Sequence, residues 1–457
     1  MGRDSHDDAE GRGIGTASVR TSYSLRLAAF YGALFTIYGV HLPYLPVWLD
    51  VRGLSAEEIA VITAAPYFLR VFITPTVALW GDRTETHRML INALAWLVVL
   101  LALLFAQAQG FWPIFLLAVP FAIALSTTVP LTETIAVAGV RAHGLDYGRM
   151  RLWGSLTFVA AGFVGGWLID HVGAGAVVGC IIAGAFATAV CAWFLPERAN
   201  TVAAADLSKG KSPAGQAADA PVVADVIHEV ETIPAVAIEG SPLRQEQGPA
   251  SRSGNFSDAR KLIVNPVFLA FLVAAGAAQG SHGMFYAFGA LQWHAQGVSN
   301  AWVGALWAIA IAGEVVLFAY SGRVVRRWGA ETLLLAATAA SVARWIMMSF
   351  APPLPLLIPL QTLHTLTYGA SHLGAMHFIS RAVPEGTQGT AQALYATVAS
   401  GLVMGAATLT SGWIWARIGG HAYLAMAALA AVGLAAALFI RARWTGSLLW
   451  NDTPDRA

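Results

Sequence analysis

The stretch 302–320 is almost wholly apolar and carries one carboxylate, Glu314, near its middle. It is long enough to cross a bilayer, which takes ~20 residues of helix. A lone acid at that depth costs ~2.5–3.5 kcal/mol even on the milder insertion scale, so it needs a partner and a role. The next apolar span offers one cation, Arg344, and the span after it two imidazoles, His364 and His372. Acid, guanidinium and imidazole on three successive spans can hold and pass a proton. They can also do no more than lock helices together as an ion pair.

Two polar stripes surround this group. His364, Tyr368, Ser371 and His372 recur at α-helical spacing and so fall on one helix face. Gln279, His282 and Tyr286 repeat the pattern in an earlier span. Polar groups on membrane helices turn towards protein or water. An interhelical hydrogen bond, worth ~0.6 kcal/mol, accounts for any one of them; two whole stripes point to a lined cavity. In the first half of the chain Arg70 stands mid-span, in Pro66-Tyr67-Phe68-Leu69-Arg70. Its planar fork suits a substrate carboxylate, and equally a protein acid such as Glu133. Tyr31, Tyr38, Phe158 and Tyr395 are candidate aromatic walls.

The elements that must position these residues follow from composition. The chain has 457 residues, 57% hydrophobic and 12% charged, against about 25% charged in a soluble domain. A water-soluble fold could not hide so much apolar surface, so the fold class is an all-α polytopic membrane protein with the lipid bilayer as its surroundings. Apolar spans read as 25–48, 57–80, 89–108, 112–138, 150–170 and 174–195, then 266–291, 300–320, 331–350, 355–380, 388–414 and 421–441. That gives 12 transmembrane helices in two six-helix halves, 25–198 and 263–442. The flanking tails are 1–24 and 443–457, and 199–262 is a loop whose residues 199–258 have too little apolar content to fold. The first 20 residues lack the apolar core of a signal peptide, so the first span is expected to stay as an anchor. Cys180 and Cys191 lie on one helix, too far apart to bridge.

Arginines in the short loops set the orientation. One side collects Arg83, Arg88, Arg141, Arg149, Arg151, Arg323, Arg326, Arg327 and Arg381; the other has Arg52 and Arg417. The rule that positive loops stay inside then places both termini and the long loop in the cytoplasm, for a multi-pass protein of the cell inner membrane. A net charge of +1 gives no reason to expect nucleic acid as a partner.

The halves also echo each other. After the second span comes Trp80-Gly81-Asp82-Arg83-Thr84-Glu85-Thr86-His87-Arg88; after the eighth comes Gly322-Arg323-Val324-Val325-Arg326-Arg327-Trp328-Gly329. Basic turns at matching positions are what an internal duplication leaves. On these features the chain resembles the major facilitator superfamily. That family's loop motif, Gly-x-Leu-x-Asp-Arg-x-Gly-Arg-Arg, is met by Asp82-Arg83 and by the basic His87-Arg88, whereas Ala78, Trp80 and Glu85 replace its Gly, Leu and Gly. The resemblance implies a two-repeat transporter fold, with Asp82, Arg83, Arg88, Arg326 and Arg327 in its cytoplasmic gating loops.

The stretch Asp146-Tyr147-Gly148-Arg149-Met150-Arg151-Leu152-Trp153-Gly154-Ser155 is similar to the phenylpropionate-permease branch, which reads Asp-Tyr-Gly-(Lys/Arg)-x-Arg-Leu-Trp-Gly-Ser there. More distantly it is similar to the lactose permease, with Gly-Arg-x-Arg-x-x-Gly. That likeness implies that Arg151 pairs with an acid on the fourth span to bind substrate, and the same spacing lands on Glu133. With span four running inward and span five outward, the two fall at similar depth. The plainer alternative makes Arg151 a loop charge and Glu133 a helix-end residue. The permease order of Glu, Arg and His on spans eight to ten is met by Glu314, Arg344 and His364. It breaks one turn later, where the lactose permease has its coupling carboxylate and this chain has Thr367, as the phenylpropionate branch also does. Glu314 is the first candidate for the proton carrier. His364 and His372 come second, since imidazole titrates near physiological pH.

The sequence therefore reads as a proton-coupled secondary transporter of a small organic solute, acting by alternating access as a monomer. An aromatic carboxylate of the phenylpropionate type suits Arg70, Arg151 and the aromatic walls. A sugar or nucleoside suits the Glu133, Gln279, His282, Tyr286 and Tyr368 lining, and efflux of drugs or metabolites uses the same architecture. A membrane enzyme or a non-transporting sensor are the competing classes. Gly-x-x-x-x-Gly-Lys, His-Glu-x-x-His and Gly-x-Ser-x-Gly are all absent from the sequence, so no ATP-driven step, metal or cofactor is expected.

Overall fold

A computed structural model describes residues 4–198 and 256–450. The described chain is helical, and α2, α5, α7 and α8 start at residues whose side chains cap them. Helix α1 is Asp4–Val51 and α2 is Ala56–Thr84. Ser55 accepts from the Glu58 amide and Glu58 answers by accepting from Ser55, a reciprocal box that satisfies two orphan N–H groups of α2. Then come α3 (His87–Gln107), α4 (Phe111–His143), α5 (Tyr147–Val172) and α6 (Ala176–Trp193). Asp146 caps α5 through the Arg149 amide.

The second half opens with a short helix, Phe256–Val264, so the linker expected over 199–262 ends earlier; the rest of that expectation lies outside the described residues. The N-terminal boundary moves too, since α1 is continuous from Asp4 rather than starting near 25. Span α7 is built from Pro266–Gly280 and Gly283–Ala295, started by Asn265 with Pro266 at the first helical position. Next are α8 (Asn300–Ala319) and α9 (Ser321–Ser349), the latter broken at Gly329, whose φ of 70° needs glycine. Span α10 runs through Leu354–Thr362, a π-helical turn at Thr365–Ala370, and Ser371–Ala382. Span α11 likewise joins Gln388–Tyr395 and Met404–Ile418 through a π-helical stretch, Ala396–Val403. The last is α12, Tyr423–Arg443. Among the described residues, ten helical segments are long and apolar enough to cross a membrane; one of them, Glu385–Arg443, holds two crossings. The remaining crossing, α10, is interrupted around its π turn, and the total is 12.

The two halves meet at the loop end that carries 51–56, 172–176 and 295–300. There α5 crosses α8 at Gly162 and Gly304, where a Cβ on Gly304 would collide with the Gly162 carbonyl. Close backbone approach through small residues is how membrane helices gain packing energy. The Tyr44 hydroxyl lies 2.7 Å from the Gly162 carbonyl and 2.8 Å from that of Asn300, so its hydrogen can serve either half. Asp170 reaches across to cap α8, accepting from the Asn300 amide at 2.9 Å, the Asn300 side chain at 2.8 Å and the Ala301 amide at 3.0 Å. A carboxylate on a helix N-terminus also meets the positive end of the helix dipole. On the opposite edge α2 packs on α11, with Gly412 against Ala60 and Gly405 against the Phe68 ring. These cross-half contacts all lie between the middle of the bundle and the end remote from the basic loops.

Candidate functional site

Glu314, Arg344 and His364 do come together, through α8, α9 and α10, and all three are buried. In place of the simple ion pair that the sequence left open, His364 stands between Glu314 and Arg344. His364 Nε2 lies 2.8 Å from Glu314 Oε1. On its other side Arg344 Nη1 lies 3.0 Å from His364 Nδ1. A guanidinium has no acceptor, so Nδ1 must accept and the neutral ring carries its hydrogen on Nε2, facing the carboxylate. A second proton at Nδ1 would set N–H against N–H, so charging His364 and keeping Arg344 in place exclude each other. Arg344 makes two further bonds, from Nη1 to Thr367 Oγ1 and from Nη2 to Gln361 Oε1, each 3.0 Å. Its guanidinium also sits over the rings of Trp345 and Phe285, at 4.7 and 5.1 Å.

Thr367, the position where the lactose permease pattern breaks, is the junction of the network. Its hydroxyl accepts from Arg344 and lies 3.0 Å from His282 Nε2. His282 Nδ1 faces the Ala278 carbonyl at 3.0 Å, so Nδ1 carries the hydrogen and Nε2 accepts from Thr367. The π turn at Thr365–Ala370 presents Thr367 and Tyr368 here, and such turns recur at functional sites. The same turn overturns one expectation. A π turn inserts a residue into the helical register, so the face shared by His364 and Tyr368 does not continue to His372. The His364 and Tyr368 rings stack at 5.4 Å, whereas His372 lies 3.4 Å from the Tyr395 hydroxyl on α11. Tyr395 itself belongs to the packed core beside Phe271 and Phe378.

In the first half Glu133 and Arg151 are neighbours, with Arg151 Nε 3.9 Å from Glu133 Oε1. Glu133 Oε2 accepts from the Tyr147 hydroxyl at 2.6 Å. Arg151, 2% exposed, lies over the Phe35 ring at 4.0 Å and the Tyr31 ring at 5.4 Å. Gly154 permits this: a Cβ there would sit 2.6 Å from Arg151 Nη1 and 3.0 Å from Phe35. The Arg-x-x-Gly spacing of the sequence thus has a steric reason.

Between the halves is a cavity of ≈ 100 Å³ whose walls include Tyr38, His41, Tyr67, Arg70, Tyr286 and Thr408. Of the predicted binding set it takes in Arg70 and Tyr286; Glu133, Arg151, Gln279, His282 and Tyr368 lie outside its described walls. Arg70 Nη2 donates to the Ser400 carbonyl at 2.7 Å, within the π-helical stretch of α11, and its guanidinium lies 4.8 Å over Tyr67. Tyr286 joins cavity to network, since its ring is 5.8 Å from that of His282. Gln279 is buried one turn before His282 and its carbonyl accepts from that ring.

Residues 24–425 match the MFS_1 like family. The chain belongs to this family. It is a membrane transporter of the major facilitator type and not an enzyme. It is 29% identical over 411 residues to the "Probable 3-phenylpropionic acid transporter" of Escherichia coli (strain K12), covering 88% of this chain and 94% of that one. To the maltose permease of Geobacillus stearothermophilus it is 28% identical over 434 residues, covering 94% and 96%. Its fold matches the crystal structure of the nucleoside transporter NupG with a TM-score of 0.68 at 15% identity, over 93% of this chain and 99% of the other.

The superfamily's loop motif ends α2 and starts α3. Glu85, where the motif has glycine, is the left-handed C-cap of α2 with φ 54°, a conformation that glycine suits better. Asp82 Oδ1 meets His87 Nε2 at 3.0 Å and Arg198 Nη1 at 3.6 Å. Arg88 donates to the Trp193 carbonyl at 2.8 Å and lies 3.8 Å from Glu197. These bonds stay inside the first half, while Arg83, Arg326 and Arg327 are exposed. The sequence reading assigned no role to Tyr147, Gln361, Asp170 or His41. Gln361 precedes His364 by three residues, a spacing that places it on the same face and so was legible.

Proposed function

We propose that the protein is a proton-coupled symporter for a small aromatic carboxylate, working by alternating access in the cell inner membrane. The observation that carries this reading is the buried chain Glu314–His364–Arg344, in which one imidazole bridges an acid and a guanidinium. A proton delivered to Glu314 removes the charge that faces His364 Nε2. A proton delivered to His364 displaces Arg344 from Nδ1. Either event changes how α8, α9 and α10 hold together, which is what coupling requires: a differential interaction with two packings. The contacts at the loop end remote from the arginines make this the inward-facing packing if the basic loops are cytoplasmic.

The carboxylate is supported by Arg70 in the cavity wall, by the aromatic surroundings and by the named specificity of the phenylpropionate relative. Maltose and nucleosides, the solutes of other relatives, are the second reading, favoured by the polar network around His282 and Thr367. Uptake of labelled phenylpropionate into proteoliposomes under an imposed inward proton gradient tests the proposal. Accumulation that collapses with a protonophore supports it. Uptake of maltose or a nucleoside in its place refutes the carboxylate assignment.

A further inference from the structure

Beside the chain Glu314–His364–Arg344 stands a second imidazole that the coupling step has not used. Arg344 Nη1 bonds His364 Nδ1 and Thr367 Oγ1, each at 3.0 Å, and lies 3.5 Å from His282 Nε2 on α7. Hydrogen bonds to nitrogen donors run to about 3.2 Å, so Arg344 stops just short of bonding His282. Arg344, His282 and Thr367 are all wholly buried. His282 Nε2 is taken instead by the Thr367 hydroxyl at 3.0 Å, while Nδ1 donates to the Ala278 carbonyl. The Thr367 hydrogen has another seat, the His364 carbonyl at 3.4 Å. A hydroxyl hydrogen rotates to suit its neighbours, so Thr367 can turn away from His282 and leave Nε2 open.

A proton arriving at His364 Nδ1 sets this exchange in motion. The new N–H faces the guanidinium, Arg344 must leave, and the acceptor already beside it is His282 Nε2. Arg344 keeps all its protons and His282 stays neutral; the one proton gained stays on His364. Arg344 retains Thr367 and Gln361. Two bonds that tie α10 to its neighbours, Arg344–His364 and Thr367–His282, are given up. One bond between α9 and α7 and one inside α10 replace them. The Trp345 indole, next to Arg344, donates to Ser281 at 2.8 Å and so keeps α9 against α7 at this point.

We infer that His282 is a positioning residue for the coupled proton: it receives Arg344 when His364 is protonated, which loosens α10 from α7 and α9. This inference rests on the proton-coupled reading above and not on the carboxylate assignment. Among the described residues, the titratable and charged groups around the two imidazoles are Glu314 from α8, Arg344 from α9, Tyr286 from α7 and Tyr368 from α10. Tyr423, at the start of α12, stacks on Trp345 behind them. Tyrosines stay neutral near physiological pH, so Glu314 and Arg344 set the local charge.

Nitrogen NMR of the purified full-length protein with isotopically labelled histidine rings tests this, His364 being assigned by the signals lost in His364→Asn. In His282→Leu the displaced Arg344 has no second imidazole to bond, so the protonated state is disfavoured. The neutral state loses less, because Thr367 can turn to the His364 carbonyl. The His364 midpoint should therefore fall by about one pH unit, a tenfold higher proton concentration, for the loss of one charged hydrogen bond. In His282→Gln, whose amide oxygen can take the place of Nε2 as acceptor, the midpoint should stay near that of the unmodified protein. A merely structural role would destabilise the leucine variant without moving the midpoint. An unchanged midpoint in folded His282→Leu, or an equal fall in His282→Gln, overturns the inference and leaves proton coupling standing. A His364 that stays neutral wherever the protein is folded also overturns it and leaves the proton with Glu314. If uptake in the proteoliposome assay ignores the proton gradient, the coupling reading itself fails and this role of His282 falls with it.

Discussion

Arg344→Lys isolates geometry from charge. The arginine is wholly buried and uses two nitrogens to reach three acceptors on α10: His364 Nδ1, Thr367 Oγ1 and Gln361 Oε1. A lysine ammonium keeps the positive charge but offers one nitrogen where the fork offers two. Placed near Nη1, it retains His364 and Thr367 and abandons Gln361, whose side chain is itself fully buried. A hydrogen bond to a charged donor contributes about 1.5–3 kcal/mol, and the stranded amide oxygen adds to the loss. These terms overlap, so the expected destabilisation is roughly 2–3 kcal/mol, or about 30- to 150-fold in an equilibrium constant. Reversible unfolding in mixed detergent measures it, and the double variant with Gln361→Leu completes a mutant cycle. The cycle should return a coupling of at least about 1 kcal/mol between the two sites. Wild-type stability in Arg344→Lys, or a coupling of zero, would refute the assignment of Gln361 as the second partner.

Three further substitutions probe the first half and the seal. Tyr147→Phe removes the 2.6 Å bond to Glu133, and binding of the transported acid should weaken several-fold; Arg151→Lys should do more, because it also loses the planar stacking on Phe35. Normal binding in both variants, measured by titration, would reduce the pair to a structural contact. Asp170→Ala strips three bonds from the α8 N-terminus, so the closed loop end should open more often. Faster labelling of a cysteine placed at Leu42, on the cavity wall, by a reagent added at that end checks this, and unchanged labelling would mean that the glycine crossings alone hold the halves together.

Much of this architecture was legible because it follows from composition. Span number comes from apolar runs, and the pairing of halves from the basic turns near Arg83 and Arg326. The Glu133–Arg151 proximity was readable because adjacent antiparallel spans must bring residues of matched depth together. What escaped depends on helix register. The α-helical spacing that grouped His364 with His372 fails because the π turn between them inserts a residue, and nothing in Thr365-Leu366-Thr367-Tyr368 announces it. The intermediate position of His364 escaped too, since an acid and an arginine suggest an ion pair from charge alone.

Proton coupling through Glu314 is the claim on which the account stands, and one comparison tests it most directly. In proteoliposomes, Glu314→Gln should still exchange substrate across the membrane in counterflow, because glutamine mimics the protonated acid and the cavity residues are untouched. It should fail to accumulate substrate against its gradient when a proton gradient is imposed, since an amide releases no proton. Full pH-driven accumulation by Glu314→Gln would contradict the account and move the coupled proton to another group.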